Sequence, residues 1–390
     1  MTHPTESHLT EPLPWLLGEA ADGFLADLYE REPVVVHHGD PDHFRTLLSI
    51  AAVDRKIAEL DLREGMLSMV DANRSVEASD FVSDNGAIDR VAVARLYRRG
   101  ATVILNQLHQ SDIVLAAFCR AVERVFSCHV QTNIYLTPPG SQGFQTHYDN
   151  HDVFILQVEG EKTWRLYDRP VEAPYRGERF KAGRHVVGEP RHSFVLKAGD
   201  CAYVPRGLMH DASTSGDAAS LHITCGLLVR TWAELVLEAV SEVCVGDPTF
   251  RESLPPGFAN RDFDRAEART RFAALMTRLP ERARLDGALD LLTDQFIRAR
   301  EPDVRGTIVE GSQPLGGTYQ ARPSLWRLID EDGGLRLIAP SGDLTFARAP
   351  RVVVERALSG LAFGPDDLGY NEVEDLIRRL TVSGLIERLD

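Results

Sequence analysis

Residues 147–167 read HYDNHDVFILQVEGEKTWRLY, and this stretch decides the fold. An apolar run at 153–158 is followed by a glycine and by a second run at 163–167, which predicts two β-strands joined by a tight turn at 159–162. Working outward, further short strands are predicted at 33–37, 102–105, 130–136, 193–196, 200–204 and 220–228. A run of short strands with turn signals between them predicts a sandwich or barrel.

The β-rich segment lies between two regions of helical character. Apolar residues recur at helical spacing over 15–29 and 113–126 before it, and over 231–245 and 262–300 after it. Pro280 is predicted to split the last of these stretches into two helices. The tail contains a predicted hairpin, with arms at 325–329 and 335–338, and then helices at about 350–359 and 371–380.

Composition describes an ordinary globular protein. The chain has 390 residues, 43% of them hydrophobic and 26% charged, with a net charge of −15. That charge argues against general nucleic-acid binding and suits either solubility alone or a basic protein partner. Five cysteines without a Cys-x-x-Cys pair favour a reducing cytoplasm. Residues 1–12 lack an apolar signal core, and no stretch reaches the roughly 20 apolar residues that span a bilayer.

A candidate metal site is encoded by histidines and one aspartate. His147 and Asp149 are two residues apart, so on a strand both side chains would point to the same face. A third ligand must come from a distant strand, and His210 is the best candidate because a predicted strand and a turn precede it. The competitors for the third place are His222, which could instead be a core histidine, His151 and His192.

Two imidazoles and one carboxylate leave three adjacent positions open on a non-haem iron. Zinc is the chemical competitor, since it also accepts two histidines, one carboxylate and water. The tripeptide at 147–149 would be weak evidence alone; the strands around it and the histidine sixty residues on strengthen the metal interpretation.

Three segments together resemble the JmjC-type ribosomal oxygenases of the cupin superfamily. They are NIYLTPPGSQG at 133–143, the stretch at 147–167 quoted above, and YVPRGLMH at 203–210. The close motif match covers about residues 130–228, and domain order extends it more weakly over nearly the whole chain. The resemblance implies an α+β protein with a double-stranded β-helix, the cupin or JmjC jelly roll.

The resemblance also implies a chemistry and a set of residues. Members of the family use Fe(II), 2-oxoglutarate and O₂, and the iron ligands here would be His147, Asp149 and His210. Lys162 would bind the distal carboxylate of 2-oxoglutarate, as the matching lysine does in animal members, whereas bacterial arginine-hydroxylating members favour arginine. Co-substrate contacts are further expected from Asn133, Tyr135 and Thr224. The alternative for Lys162 is a turn residue that points to solvent.

The expected domain plan follows the same family. Residues 1–230 would be the JmjC catalytic domain with an N-terminal helical extension, 231–304 a helical dimerisation region, and 305–390 a winged-helix-like domain. A homodimer is therefore expected. The last predicted helix mixes acidic and basic residues, so no direct DNA binding is expected.

The leading hypothesis is a 2-oxoglutarate-dependent dioxygenase that hydroxylates an Arg or His side chain of a basic ribosomal protein. One alternative keeps the chemistry but acts on a biosynthetic peptide or small molecule. Another is a non-catalytic cupin that binds a metal or ligand. Conversion of 2-oxoglutarate to succinate separates the last from the others.

Overall fold

The computed structural model describes residues 7–214, 216–310 and 315–389. The chain divides into two compact units, Met1–Val229 and Arg230–Asp390. Each unit has a hydrophobic core of its own.

The first unit is built on ten antiparallel strands. A seven-stranded sheet has the order β1-β8-β5-β10-β4-β3-β2, and a three-stranded sheet has the order β7-β6-β9. The strands are β1 Val34–Val36, β2 Leu67–Val70, β3 Thr102–Leu105, β4 His129–Thr137, β5 Asp152–Glu159, β6 Glu161–Leu166, β7 His192–Lys197, β8 Cys201–Val204, β9 His210–Ser213 and β10 Ser220–Leu228.

Strand β5 shows how the two sheets are held together. Its side chains alternate between the two faces of the large sheet. Val153 and Ile155 lie in one cluster with Trp164 and Leu166 of the small sheet, so this cluster fills the space between the sheets. Phe154 joins the larger core on the opposite face, which helices cover. The predicted barrel-like sandwich is therefore present, and β5 joins β6 through Gly160.

Gly160 is required at that turn. Its φ is +68°, and a Cβ there would lie 2.2 Å from the carbonyl oxygen of Ala219. Only glycine adopts this conformation without strain and leaves room for the neighbouring backbone. The turn fixes the register that brings Lys162 to the inner face of β6.

Helices cover the outer face of the large sheet. In the first unit they are α1 Ser7–Thr10, α2 Pro12–Leu17, α3 Ile50–Glu59, α4 Arg90–Arg98 and α5 Ile113–Phe126. The predicted helix at 15–29 is wrong as one element: α2 ends at Leu17 and short 3₁₀ and π turns follow. Gly18 and Gly23 take positive φ, and these left-handed positions end regular helix.

The second unit contains helices followed by small sheets. The helices are α6 Trp232–Gly246, α7 Ala266–Arg282, α8 Leu285–Arg298, α9 Thr307–Glu310, α10 Arg351–Ala357 and α11 Val373–Val382. The strands are β11 Tyr319–Ala321, β12 Arg327–Glu331, β13 Gly334–Ile338, β14 Leu344–Phe346 and β15 Ile386–Arg388, with sheets β12-β13-β14 and β11-β15. The predicted hairpin corresponds to β12 and β13.

The predicted division of residues 262–300 into two helices is confirmed, but its predicted position at Pro280 is wrong. Pro280 lies inside α7, and the break between α7 and α8 comes at Ala283 and Arg284 instead. A proline removes one helical hydrogen bond, but here it falls in the last turn, where little helix remains to be disrupted.

No helix in the described part of the chain has both the length and the apolarity to cross a membrane.

Candidate metal centre

Three side chains from distant parts of the first unit converge at one point. The ligand atoms of His147, Asp149 and His210 all lie within 4.8 Å of one another. His210 begins β9, whereas the other two lie in the segment that leads into β5. Two backbone hydrogen bonds join these segments, from the N–H of His147 to the carbonyl of His210 and back, at 3.1 and 2.7 Å. The predicted set is thus brought together by a local antiparallel bridge.

The hydrogen bonds of the two histidines set their tautomers. Nδ1 of His147 lies 2.9 Å from the carbonyl oxygen of Gln145, and Nδ1 of His210 lies 3.0 Å from that of Leu208. A carbonyl only accepts, so each Nδ1 carries the proton and each Nε2 keeps its lone pair. On the third ligand, one carboxylate oxygen of Asp149 lies 3.8 Å from Nε2 of His210. Two imidazole nitrogens and one carboxylate, all available as donors, fit a divalent transition metal.

The charge state of the site also suits a metal. Burial, and then the nearby His147, lower the pKa of His210 to about 4, so its imidazole is neutral at physiological pH. For Asp149, burial alone would raise the pKa, but the neighbouring histidines His151, His147 and His210 outweigh it and keep the carboxyl ionised. Metal ligands must be deprotonated in this way.

Asp211, immediately after the last ligand, organises the surrounding strands. Its carboxylate accepts hydrogen bonds from the hydroxyl of Thr146 at 2.7 Å, from Nε of Arg165 at 2.7 Å and from the hydroxyl of Tyr167 at 2.6 Å. Thr146 precedes His147, so this buried carboxylate holds the two histidine-bearing segments and β6 in one arrangement. In the sequence, Asp211 is marked by nothing but its place directly after a candidate ligand.

Lys162 lies on β6 and points inward. It is 3% exposed, so the solvent-pointing alternative is wrong. Its Nζ lies 3.3 Å from Nδ1 of His222, and no acidic side chain among residues 7–214 and 216–229 pairs with it. Burial lowers the pKa of Lys162 to about 7. A buried amine without an anion is costly, which indicates that an anionic group from outside the chain completes the pocket.

His222 lies beside this amine rather than at the metal point. Burial, and then the charge of Lys162, hold its pKa well below the usual value, so the ring is neutral. The ring of Tyr135 stacks on it at 4.7 Å and 3°, and Trp164 meets it edge-on at 5.6 Å. The structure therefore makes His222 a pocket residue. The sequence ranked it as second candidate for the third ligand.

The remaining predicted residues fall in two groups. Tyr135 and Thr224 line the same cavity as the metal point and Lys162. Asn133 does not appear among the lining residues; its amide oxygen accepts the backbone N–H of Gln107 at 2.9 Å. In the register of β4 and β10, Tyr135 is opposite His222 and Asn133 is opposite Thr224. Asn133 thus shares a face with Tyr135, but its amide oxygen is held by the backbone of Gln107.

The other two competing histidines lie elsewhere. His192 is exposed at the start of β7. His151 precedes β5 and contacts Gly226, where an added Cβ would lie 2.7 Å from its ring. Neither belongs to the group of ligand atoms within 4.8 Å among the described residues.

The fold and this site together define a class of protein. The antiparallel jelly roll and its His-x-Asp…His group are those of the cupin-type JmjC proteins, and the family model of the JmjC domain matches residues 105–235. A ribosomal oxygenase 1 from Gallus gallus is 30% identical over 341 residues, covering 83% of this chain and 55% of that protein. A bifunctional lysine-specific demethylase and histidyl-hydroxylase NO66 from Drosophila erecta is 32% identical over 253 residues, covering 62% and 38%.

A solved structure extends the likeness to the whole chain. YcfD, a ribosomal oxygenase from Escherichia coli in complex with cobalt and 2-oxoglutarate, aligns with a TM-score of 0.55, covering 95% of this chain and 98% of that one. At 16% identity this match shows a shared fold. The chain spans 55% of the length of the Gallus gallus protein and 38% of that of the Drosophila erecta protein. Residues 105–235 match the JmjC domain, and the chain is similar over most of its length to ribosomal oxygenases that carry this domain.

Proposed function

We propose that this protein is an Fe(II)- and 2-oxoglutarate-dependent dioxygenase that hydroxylates a side chain of a protein, and that its target is a ribosomal protein. One observation carries the proposal: the ligand atoms of His147, Asp149 and His210 lie within 4.8 Å of one another, beside a buried lysine. The names of the relatives support the choice of a ribosomal target.

In this proposal the three converging side chains hold Fe(II). Bound iron, together with 2-oxoglutarate and O₂, supplies the oxidation that places one oxygen atom on a C–H bond and another in succinate, with release of CO₂. Iron is favoured over zinc because the family uses it and because zinc does not activate O₂. The carbonyl contacts of His147 and His210 occupy each Nδ1 and would leave each Nε2 available to hold the metal.

The rest of the pocket binds and orients the co-substrate. We assign Lys162 to its distal carboxylate, because an ammonium in a dry pocket binds an anion strongly. His222 accepts a hydrogen bond from Lys162 and so aims the ammonium, while Tyr135 and Thr224 line the same cavity. Apolar walls formed by Val153, Ile155 and Trp164 exclude water. For Asn133 we retain only a supporting position on the same face of β4 as Tyr135.

We further propose that residues 231–304 form a homodimer contact and that residues 305–390 form a winged-helix-like domain. Support for the first comes from large apolar side chains left exposed within the second unit, including Trp232, Leu237 and Phe272 at 76%, 60% and 66%. Support for the second comes from the order of helices and short strands in that region. The mass of the chain in solution, measured at several concentrations, tests the dimer.

The function is tested with the purified full chain, Fe(II), 2-oxoglutarate and a mixture of ribosomal proteins. We expect succinate to form and one ribosomal protein to gain the mass of one oxygen atom. His147→Ala should abolish both, whereas the exposed His192→Ala serves as a matched control and should keep both. Full activity of His147→Ala under iron contradicts the ligand assignment. Succinate without a modified ribosomal protein favours a peptide or small-molecule target, and no succinate favours a binding protein without activity.

A further inference from the structure

The connection between β6 and β7 differs in charge from the rest of the chain. Residues 175–185 read YRGERFKAGRH, with four basic residues and one acidic residue, in a protein of net charge −15. Arg179, Lys181 and Arg184 are exposed, and none has an acidic partner among the described residues. The one acid, Glu178, accepts the backbone N–H of Tyr175 at 2.9 Å. The loop therefore presents three uncompensated positive charges.

The same loop is anchored at the metal centre. The ring of Phe180 meets Tyr148 edge-on at 5.4 Å and lies 6.4 Å from the ring of His147. The ring of His185 lies 5.7 Å from Tyr148. Because Phe180 and His185 turn toward the site, the basic residues that flank them turn outward. Whatever binds the positive charges is thus held close to the mouth of the pocket.

An exposed aromatic accompanies the charges. The side chain of Tyr175 is 42% exposed at the start of the basic segment. Basic side chains that follow a phosphate backbone, combined with aromatic faces on which bases stack, are how proteins bind single-stranded nucleic acid. An acidic peptide would satisfy the charges but has no planar base to stack on the tyrosine. A basic ribosomal target is not itself attracted by these charges, whereas the RNA beside it is.

We propose that residues 175–185 form a contact site for single-stranded RNA, which holds a ribonucleoprotein next to the pocket. The proposal rests on the proposed function, since a ribosomal protein is surrounded by RNA in its assembled form. The negative net charge of the chain argues against general nucleic-acid binding. A basic loop can still bind RNA locally, because charges at the surface interact mainly within about one Debye length, roughly 8 Å at physiological salt. The protein then recognises its target in part through the RNA beside it.

The test is binding of the full chain to a fluorescein-labelled oligouridylate of twelve nucleotides, followed by anisotropy between 50 and 200 mM salt. Three phosphate contacts give a log–log slope of about −2, so affinity should fall about 20-fold over this range. Replacing Arg179, Lys181 and Arg184 with Gln should remove these three phosphate contacts, so the log–log slope should lie about 2 closer to zero. Tyr175→Ala should weaken binding on the order of 5- to 100-fold and leave the slope unchanged.

A matched control uses three other exposed arginines of the same unit, Arg55, Arg95 and Arg98, which also have no acidic partner among the described residues. Their triple Gln variant should bind the RNA as the unmodified protein does. Equal salt slopes for the loop variant and the unmodified protein would overturn the proposal. So would equal competition by polyglutamate of the same charge, or a Tyr175→Ala variant of undiminished affinity.

The outcome is separable from that of the proposed function. RNA binding is measured without turnover, so His147→Ala should bind the oligonucleotide normally even though it forms no succinate. An enzyme that forms succinate but shows no loop-dependent RNA binding contradicts only the RNA site. A protein that binds RNA through the loop but forms no succinate contradicts only the oxygenase.

Discussion

Replacing Lys162 with Met should stabilise the protein and at the same time abolish its response to 2-oxoglutarate. Met has nearly the length and volume of the lysine side chain but carries no charge. Lys162 is 3% exposed, and in the part of the chain that the structure describes its amine hydrogen-bonds only to neutral His222, at 3.3 Å. The buried amine thus lowers the free energy of unfolding of the ligand-free protein. It contributes favourably only when an anion is bound beside it.

The magnitude follows from the pKa. Burial lowers the pKa of Lys162 from 10.5 to about 7, and each unit corresponds to about 1.4 kcal/mol. Between pH 7 and 10.5 the unfolded chain holds the proton that the folded protein releases. The cost is therefore fully present below pH 7, at about 5 kcal/mol, and disappears as the pH rises through 10.5. Lys162→Met also removes the hydrogen bond to His222, which reduces the expected gain in the free energy of unfolding by about 1 kcal/mol.

We therefore expect Lys162→Met to raise the free energy of unfolding by about 3 kcal/mol at pH 7. This corresponds to an increase in Tm of roughly 6–12 °C for a unit of this size. At pH 9 the increase in the free energy of unfolding of Lys162→Met should be only about 1 kcal/mol. Thermal unfolding with and without 2-oxoglutarate, in the presence of a redox-inert divalent metal, measures both effects. The exposed Lys197→Met on β7 is the control and should change stability by less than about 0.5 kcal/mol. A Lys162→Met variant that is less stable and still stabilised by 2-oxoglutarate would refute the reasoning.

Three further predictions concern the same unit. Asp211→Asn keeps the shape but weakens the carboxylate that orders both histidine segments, so Co(II) titration should show metal affinity lower by about 10- to 100-fold; an affinity within twofold of the original contradicts this. Binding of 2-oxoglutarate should be accompanied by uptake of close to one proton at pH 8 and almost none at pH 6. The reason is that the pKa of Lys162 is about 7 without the ligand and is raised when the ligand binds. Calorimetry in two buffers of different ionisation enthalpy measures the uptake. Arg206→Met leaves the fully buried Asp152 without its partner at 2.8 Å and should cost about 3–5 kcal/mol of unfolding free energy by urea denaturation, while adding Asp152→Asn should recover part of it.

The candidate metal residues could be predicted because their information is local. Two residues apart on extended backbone share a face, so His147 and Asp149 needed no tertiary knowledge to be paired. His210 came from motif resemblance as well as from the strand before it. The buried strand pair around Gly160 could also be predicted, because apolar runs and a turn glycine are visible in the sequence itself.

The pocket partner of the lysine could not be found in this way. His222 meets Lys162 and Tyr135 only because β10 pairs with β4 in one register, and β6 crosses from the other sheet. A one-residue shift of β10 would have turned His222 away from the cavity. Register between distant strands depends on the whole core, so from the sequence His222 could be ranked only as the second candidate ligand or as a histidine of the core or near the metal. The error at residues 15–29 has a simpler cause, since apolar spacing outweighed two glycines that end regular helix.

The arrangement of charge explains why the protein tolerates a buried amine at all. Asp149 contributes one negative charge, the protonated Lys162 one positive charge, and His210 and His222 none. A divalent metal adds two positive charges and 2-oxoglutarate two negative ones. With lysine protonated, the pocket is therefore neutral when both guests are bound or neither is, and it carries a net charge when one guest binds alone. A histidine that became charged beside Lys162 would break this balance, and its low pKa prevents that. Neutral His222 can thus direct the ammonium without repelling it, which a lysine or arginine at that position could not do.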